Sequence, residues 1–263
     1  MITVDFSPNA FNFFGIDIKW YAIFYMMSFE IGRRLSIYII KRDKYYDIIS
    51  QEKMNDFLFI LLPIIVIGAR AGHVIFYELD YYCHAKLEIF NIRNGGLSFH
   101  GGLIAAALYI IYYCRKHRIP IFFMCDILCY CASISLALGR CANFVNQELY
   151  GIPTNSNFGV VFAGVDNLVR HPTQIYEALT EGIVNFIILT LMLKSKKNEF
   201  GQANISIAFL LNYALARFFI DFLKDDSGGN LTRGGQTLSI VMFVCGVVIL
   251  IVKYTKKPKY KHR

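Results

Sequence analysis

The sequence predicts an all-α membrane protein, with seven transmembrane helices, the N-terminus outside, the C-terminus in the cytoplasm, and an extracytoplasmic loop region over one end. Three observations predict it. Of 263 residues, 56% are hydrophobic and only 17% charged, and the mean hydropathy of +0.43 exceeds what a soluble domain of this size needs. The apolar residues recur in segments of roughly 20, the length that crosses hydrocarbon about 30 Å thick. Basic residues are divided unequally between alternate loops, as membrane orientation requires.

The predicted spans are Ile18 to Ile37, Phe57 to Tyr77, Ser98 to Cys114, Phe122 to Leu138, Ile175 to Leu193, Ala203 to Phe222 and Leu238 to Tyr254. Trp20 and Tyr21 suit the outer membrane interface of the first span. Glu30, Arg33 and Arg34 near its inner end read as paired or snorkelling side chains. Arg70 is a charge inside the second span. The third and fourth spans are short and need their flanks to cross fully. Pro172 marks the start of the fifth. Tyr213, Arg217 and Asp221 stand at i, i+4 and i+8 in the sixth, on one helical face, where Arg217 and Asp221 either neutralise each other or leave arginine donors for an anion.

Sixteen Lys and Arg residues fall in one set of alternate loops and seven in the other. This puts Glu78 to Leu97, Gly139 to Gln174 and Leu223 to Thr237 outside. The chain reads as a single polytopic domain over residues 1–263, with 139–174 as an extracytoplasmic signature and head segment. It shows no internal repeat at a fixed period and no inverted pair of broken spans, which argues against a transporter.

The net charge of +8 lies in short clusters beside apolar segments, so it speaks for orientation and against nucleic acid. Seven cysteines, mostly inside apolar segments, do not form a disulfide framework. Cys125, Cys129 and Cys131 lack a second ligand pair and read as small buried hydrophobes instead of metal ligands. The N-terminal M-I-T-V-D-F has no basic stretch ahead of the first apolar run, so no removable signal peptide is expected.

Ionisable groups at the edge of a span are costly and point to function. Residues 139–151 read G-R-C-A-N-F-V-N-Q-E-L-Y-G, a compact set of donors and acceptors where an aromatic or basic anchor would be usual. Arg140, Asn143 and Glu148 share a face if the helix continues, so that Arg140 either holds a phosphate in a bidentate fork or makes a structural pair with Glu148 that caps the span. In G-G-L-S-F-H-G-G, His100 opens the third span between paired glycines. It is either a neutral base at a helix N-terminus or a histidine in a small-residue packing contact. In R-H-P-T-Q-I-Y-E, from Arg170 to Glu177, the polar residues read as helix caps.

Together, and in this order, Trp20-Tyr21, the His100 segment, Gly139-Arg140 with Asn143-Phe144, Asn146, Glu148 and Gly151, then R-H-P-T-Q-I-Y-E, and Tyr213 with Arg217 resemble the bacterial prolipoprotein diacylglyceryl transferase family. The likeness runs over nearly the whole chain. It departs at Ala22, where the family often has glycine, and at Asp221, where glutamate is usual.

The resemblance implies a multi-pass enzyme of the bacterial cytoplasmic (inner) membrane. Such an enzyme moves a diacylglyceryl group from phosphatidylglycerol to the lipobox cysteine thiol of a prolipoprotein, releasing glycerol 1-phosphate. It implies catalytic parts for His100, Arg140, Arg217 and Tyr21, and substrate-binding parts for Asn143, Asn146, Glu148, Gly151, Tyr213 and Asp221. The chemistry fits these residue types. A free thiol has a pKa of about 8.5, so it needs a base or nearby positive charge, and arginines can meet the charge that grows on a leaving phosphate. No metal and no cofactor is called for. A transporter or receptor for an anionic ligand is the alternative from another class, and it predicts charges lining a path to both faces.

Overall fold

The computed structural model describes residues 2–92, 95–195, 198–225 and 231–255. It is mostly helical, and a helix overlaps each apolar segment read from the sequence: α1 Trp20–Arg42, α2 Gln51–Phe76, α4 Phe99–His117, α5 Ile121–Val145, α6 Thr173–Lys194, α7 Asn204–Ile220 and α8 Leu231–Thr255, with the short α3 Leu79–His84 between α2 and α4. On length and composition, four are able to cross a membrane: Gln51–Phe76, Ile121–Val145, Thr173–Lys194 and Asn204–Leu223. Large apolar side chains stand bare on these helices, among them Ile67, Leu191 and Phe219, as lipid-facing surfaces require. The chain divides into two compact units, residues 35–124 and residues 1–34 with 125–263.

In the unit of residues 35–124, α2 starts earlier than hydropathy suggests. Ser50 caps it, its Oγ accepting the Lys53 N–H at 3.2 Å, and the polar first turn follows. Ser98 caps α4 in the same way, from Gly101 N at 3.3 Å. The two helices pack along glycines: a Cβ on Gly101 would lie 2.8 Å from the Gly72 Cα. Small residues permit such close backbones where lipid offers no hydrophobic drive to associate. Beyond the glycines, buried Phe57 stacks on Tyr109 with centroids 5.3 Å apart, and Tyr113 donates to the Lys53 carbonyl at 2.8 Å.

The other unit carries strands that hydropathy does not reveal. β1 Ile2–Val4 runs parallel to β4 Val160–Phe162, which pairs antiparallel with β5 Val169–Arg170. Val4, Val160 and Phe162 form a small core under Phe144, Tyr150 and Val165, so part of the stretch between α5 and α6 is ordered on strands. A second pair, β2 Asn9–Phe13 and β3 Ile16–Lys19, leads directly into α1. In the second half of α1 both Arg33 and Arg34 bond Glu30, at 2.7 and 2.6 Å, as the paired reading expected.

Asp126, fully buried in α5, organises the entry to α7. Its carboxylate accepts the N–H groups of Gly201, Ala203 and Ser206, each at 2.9 Å, and the Ser206 hydroxyl. An anion held there satisfies helix-start donors and opposes the positive end of the helix dipole. Asp126→Ala leaves those donors, the buried Ala203 N–H among them, without this acceptor. At about 1–3 kcal/mol for each orphaned group, the purified variant is expected to unfold at a clearly lower temperature. An unchanged thermal midpoint would refute the assignment.

Candidate active site

Three elements of the second unit meet around a buried set of charges. α5 contributes Arg140 near its C-terminal end. α6 contributes Glu177 and Glu181, and α7 with the residues after it contributes Arg217, Asp221 and Lys224. Residues Ala178–Val184 of α6 are wound as a π-helix, an uncommon widening often found at functional sites. There Gly182 lies against α5 so closely that a Cβ on it would be 2.6 Å from the Ala137 Cβ and 2.8 Å from its Cα. That contact, one turn before Arg140, brings the guanidinium within reach of both acids.

Arg140 Nη2 donates to Glu181 at 3.1 Å. Its Nε is 3.2 Å from Glu177 Oε2, inside ion-pair range but not aligned for a hydrogen bond. Arg217 pairs with Glu177 through Nη1, and its Nε lies 3.0 Å from Asp221, the neighbour one turn ahead. Lys224 Nζ completes the set at 2.7 Å from Glu177. Burial pushes the Lys224 ammonium below its ordinary pKa, and the charge of Glu177 works against that shift. Glu177 therefore touches three cations.

The charges balance, three against three, but their placement is uneven. The side chains of Glu177 and Glu181 are 0% exposed and that of Asp221 2%, whereas Arg140 is 15%, Arg217 21% and Lys224 10% exposed. The acids form a wholly buried floor, and the cations that pair with it are the partly exposed members of the set. Glu177 Oε2, Glu181 Oε1 and Asp221 Oδ2 are buried without a hydrogen-bond partner among the described residues. Such a floor is costly unless positive charge stays above it. Tyr213 lies within electrostatic range of Glu181 and both arginines.

The signature residues gather beside this set, but not on a continuing helix. α5 stops at Val145, and Gln147 and Leu149 take left-handed backbone conformations, with φ of 58° and 56°. Glu148 folds back: its N–H bonds the Asn143 carbonyl at 2.9 Å, and its carboxylate accepts from Asn143 and Asn146 at 3.4 Å each. The expected single face of Arg140, Asn143 and Glu148 is thus replaced by a turn, because two left-handed residues end the helix. Thr173 and Gln174 hold the turn by donating to the carbonyls of Leu149 and Glu148.

Gly151 serves the framework. Its N–H donates to the His171 carbonyl at 2.9 Å, and a Cβ there would come within 2.5 Å of the Leu223 carbonyl oxygen. Arg170, predicted as a cap, pins the same junction by donating to the Gly151 carbonyl at 3.1 Å while pairing with Asp166 and Asp225. The Tyr21 hydroxyl is 3.1 Å from that of Tyr25, which lies within electrostatic range of Arg140 and Glu148.

His100 belongs to the unit of residues 35–124, exposed in the first turn of α4 beside the Phe99 ring. The glycines that follow it are used in the packing of α4 on α2. The structure thus joins Arg140, Arg217, Tyr213 and Asp221 in one cluster and Asn143, Asn146 and Glu148 in another within the same unit. Sequence reasoning missed Glu181 and Lys224 and read Glu177 only as a cap. Two acids four residues apart inside an apolar span were the available signal. Among the described residues, no group of three or more His, Cys, Asp and Glu side chains is disposed to hold a metal ion.

Known proteins resemble this chain along nearly its whole length. Residues 8–252 match the family model described as prolipoprotein diacylglyceryl transferase. Among similar curated proteins, a phosphatidylglycerol–prolipoprotein diacylglyceryl transferase of Nitrobacter hamburgensis is 35% identical, the alignment covering 97% of this chain and 90% of the relative. Proteins of the same name from Nitrosomonas europaea and Finegoldia magna are 33% and 37% identical, covering 98% and 94% of this chain and 95% and 96% of theirs.

Proposed function

The chain belongs to the prolipoprotein diacylglyceryl transferase family, and on that premise we propose that it transfers the diacylglyceryl group of phosphatidylglycerol to a prolipoprotein. The acceptor is the lipobox cysteine thiol, and the products are a thioether and glycerol 1-phosphate. The observation that carries the reading is the buried acidic floor with Arg140, Arg217 and Lys224 above it. A phosphodiester is a monoanion, and its departing phosphate gains a further negative charge. Cations held in place by acids beneath them need not reorganise as that charge grows.

In the reaction the cysteine sulfur attacks the glyceryl carbon that carries the phosphate ester, and the carbon–oxygen bond breaks. Arg140 and Arg217 bind the phosphate oxygens and stay charged where water is scarce. Asn143, Asn146, Glu148 and Tyr213 orient the head group, Gly151 contributes through the backbone junction it permits, and Tyr21 acts through its hydroxyl pair with Tyr25. Asp221 holds Arg217, one methylene shorter than the family's usual glutamate. His100 takes the thiol proton, a chemical assignment from the family motif. The seven helices cross the bacterial inner membrane with the N-terminus outside, a topology supported by the basic-loop asymmetry.

The test incubates purified protein with phosphatidylglycerol and a lipobox peptide. A peptide carrying the diacylglyceryl mass on its cysteine is expected. An unmodified peptide with demonstrably folded protein sinks the proposal. The alternative of a transporter or receptor for an anionic ligand finds no support among the relatives matched.

A further inference from the structure

Arg70 is a charge inside the second apolar segment, and the catalytic reading does not use it. It is 6% exposed, and among the described residues it has no carboxylate partner. All five of its N–H groups instead donate to backbone carbonyls. Nε bonds Ile89, Nη1 bonds Gly95 and Gly96, and Nη2 bonds Glu88 and Asn91, at 2.6 to 3.1 Å. The Tyr82 ring lies under the guanidinium, 5.0 Å from its carbon. Arginine has five donors in a planar fork, and each of them is used here.

This arrangement organises the segment that ends in His100. Gly95 and Gly96 take φ of 87° and 79°, conformations that turn both carbonyls to Nη1. A Cβ on Gly96 would lie 2.5 Å from Arg70 Nη1 and 2.7 Å from the His73 ring. Next to Arg70, the Ala69 carbonyl accepts the Ser98 N–H at 2.8 Å. Ser98 is buried and caps α4, and His100 sits in the first turn after that cap. The path from the guanidinium to the imidazole is therefore short and made of backbone hydrogen bonds.

We infer that Arg70 is a positioning residue for the transfer reaction, stapling the backbone at Glu88, Ile89, Asn91, Gly95 and Gly96 so that His100 is presented in one orientation. The inference rests on the proposed part of His100 as thiol base. Lysine in its place has three donors on a compact ammonium and cannot hold five carbonyls.

The test is a double-mutant cycle on transfer rate across pH in the full-length protein, using Arg70→Lys, His100→Asn and both together. Arg70→Lys is expected to lower transfer at least 10-fold and to flatten the pH dependence that His100→Asn also removes. The double variant is expected to match His100→Asn within twofold, since a staple that acts through His100 has nothing further to lose. If Arg70→Lys slows the reaction by the same factor with and without His100, its role is merely structural and the inference falls, while the base assignment stands. If His100→Asn keeps normal transfer, the base assignment itself falls and takes the inference with it. Gly96→Ala serves as a second variant should Arg70→Lys not fold. It displaces the carbonyls while leaving Arg70 intact, and the same cycle with His100→Asn decides the matter in the same way.

Discussion

Arg140→Lys is expected to lower the rate of diacylglyceryl transfer by about 10²–10³-fold, the range for loss of one transition-state donor, while leaving the protein folded. The substitution separates charge from geometry. The guanidinium reaches Glu181 through Nη2 and Glu177 through Nε at the same time, at 3.1 and 3.2 Å. An ammonium keeps the positive charge that the buried acids need, so the interior does not acquire an unpaired anion. Being a point charge, it cannot bridge both acids and still offer a planar pair of donors to a phosphate. Measured transfer kinetics with phosphatidylglycerol, together with thermal unfolding, check this. A variant with near-normal turnover would show that charge alone suffices and that the fork plays no part.

The same cluster shows what the sequence reveals and what it hides. The helices were legible because apolar segments of about 20 residues have few other uses. Their ends were not, since hydropathy records hydrocarbon and not hydrogen bonding. α2 begins at Gln51, six residues before the predicted span, because Ser50 caps a polar turn. α5 likewise runs on to Val145 past the predicted Leu138. The strands of the head were hidden for another reason. Ile2–Val4 is three residues long, and its partner Val160–Phe162 lies more than 150 positions away. No local pattern encodes such a pairing.

For the site, Arg140, Arg217 and Asp221 stood out because charge inside an apolar run is conspicuous. Their partners did not, although Glu181 obeys the same rule, because a neighbouring cap motif offered a simpler reading of the polar residues around Pro172. The glycines beside His100 were legible as close-approach positions, but the backbone they approach is α2 at Gly68 and Gly72. The structure accounts for those glycines by packing.

Glu177→Gln should produce the largest loss of stability of any single change in the site. Among the described residues, Glu177 is the one acid in contact with Arg140, Arg217 and Lys224 together, and glutamine keeps its shape while removing its charge. The remaining acids, Glu181 and Asp221, then face three cations. Breaking a buried ion pair by neutralising one partner typically costs about 3–5 kcal/mol, enough to lower the thermal midpoint by several degrees in a chain of this size. The surplus positive charge makes a further, opposite expectation. A phosphate head group now replaces the missing anion, so added phosphatidylglycerol should raise the midpoint of the variant more than that of the parent, by ligand linkage. An uncharged lipid of the same chain length should protect both equally. If Glu177→Gln were as stable as the parent, or if phosphatidylglycerol protected it no better, the buried acids could not be what holds the cations in readiness for phosphate.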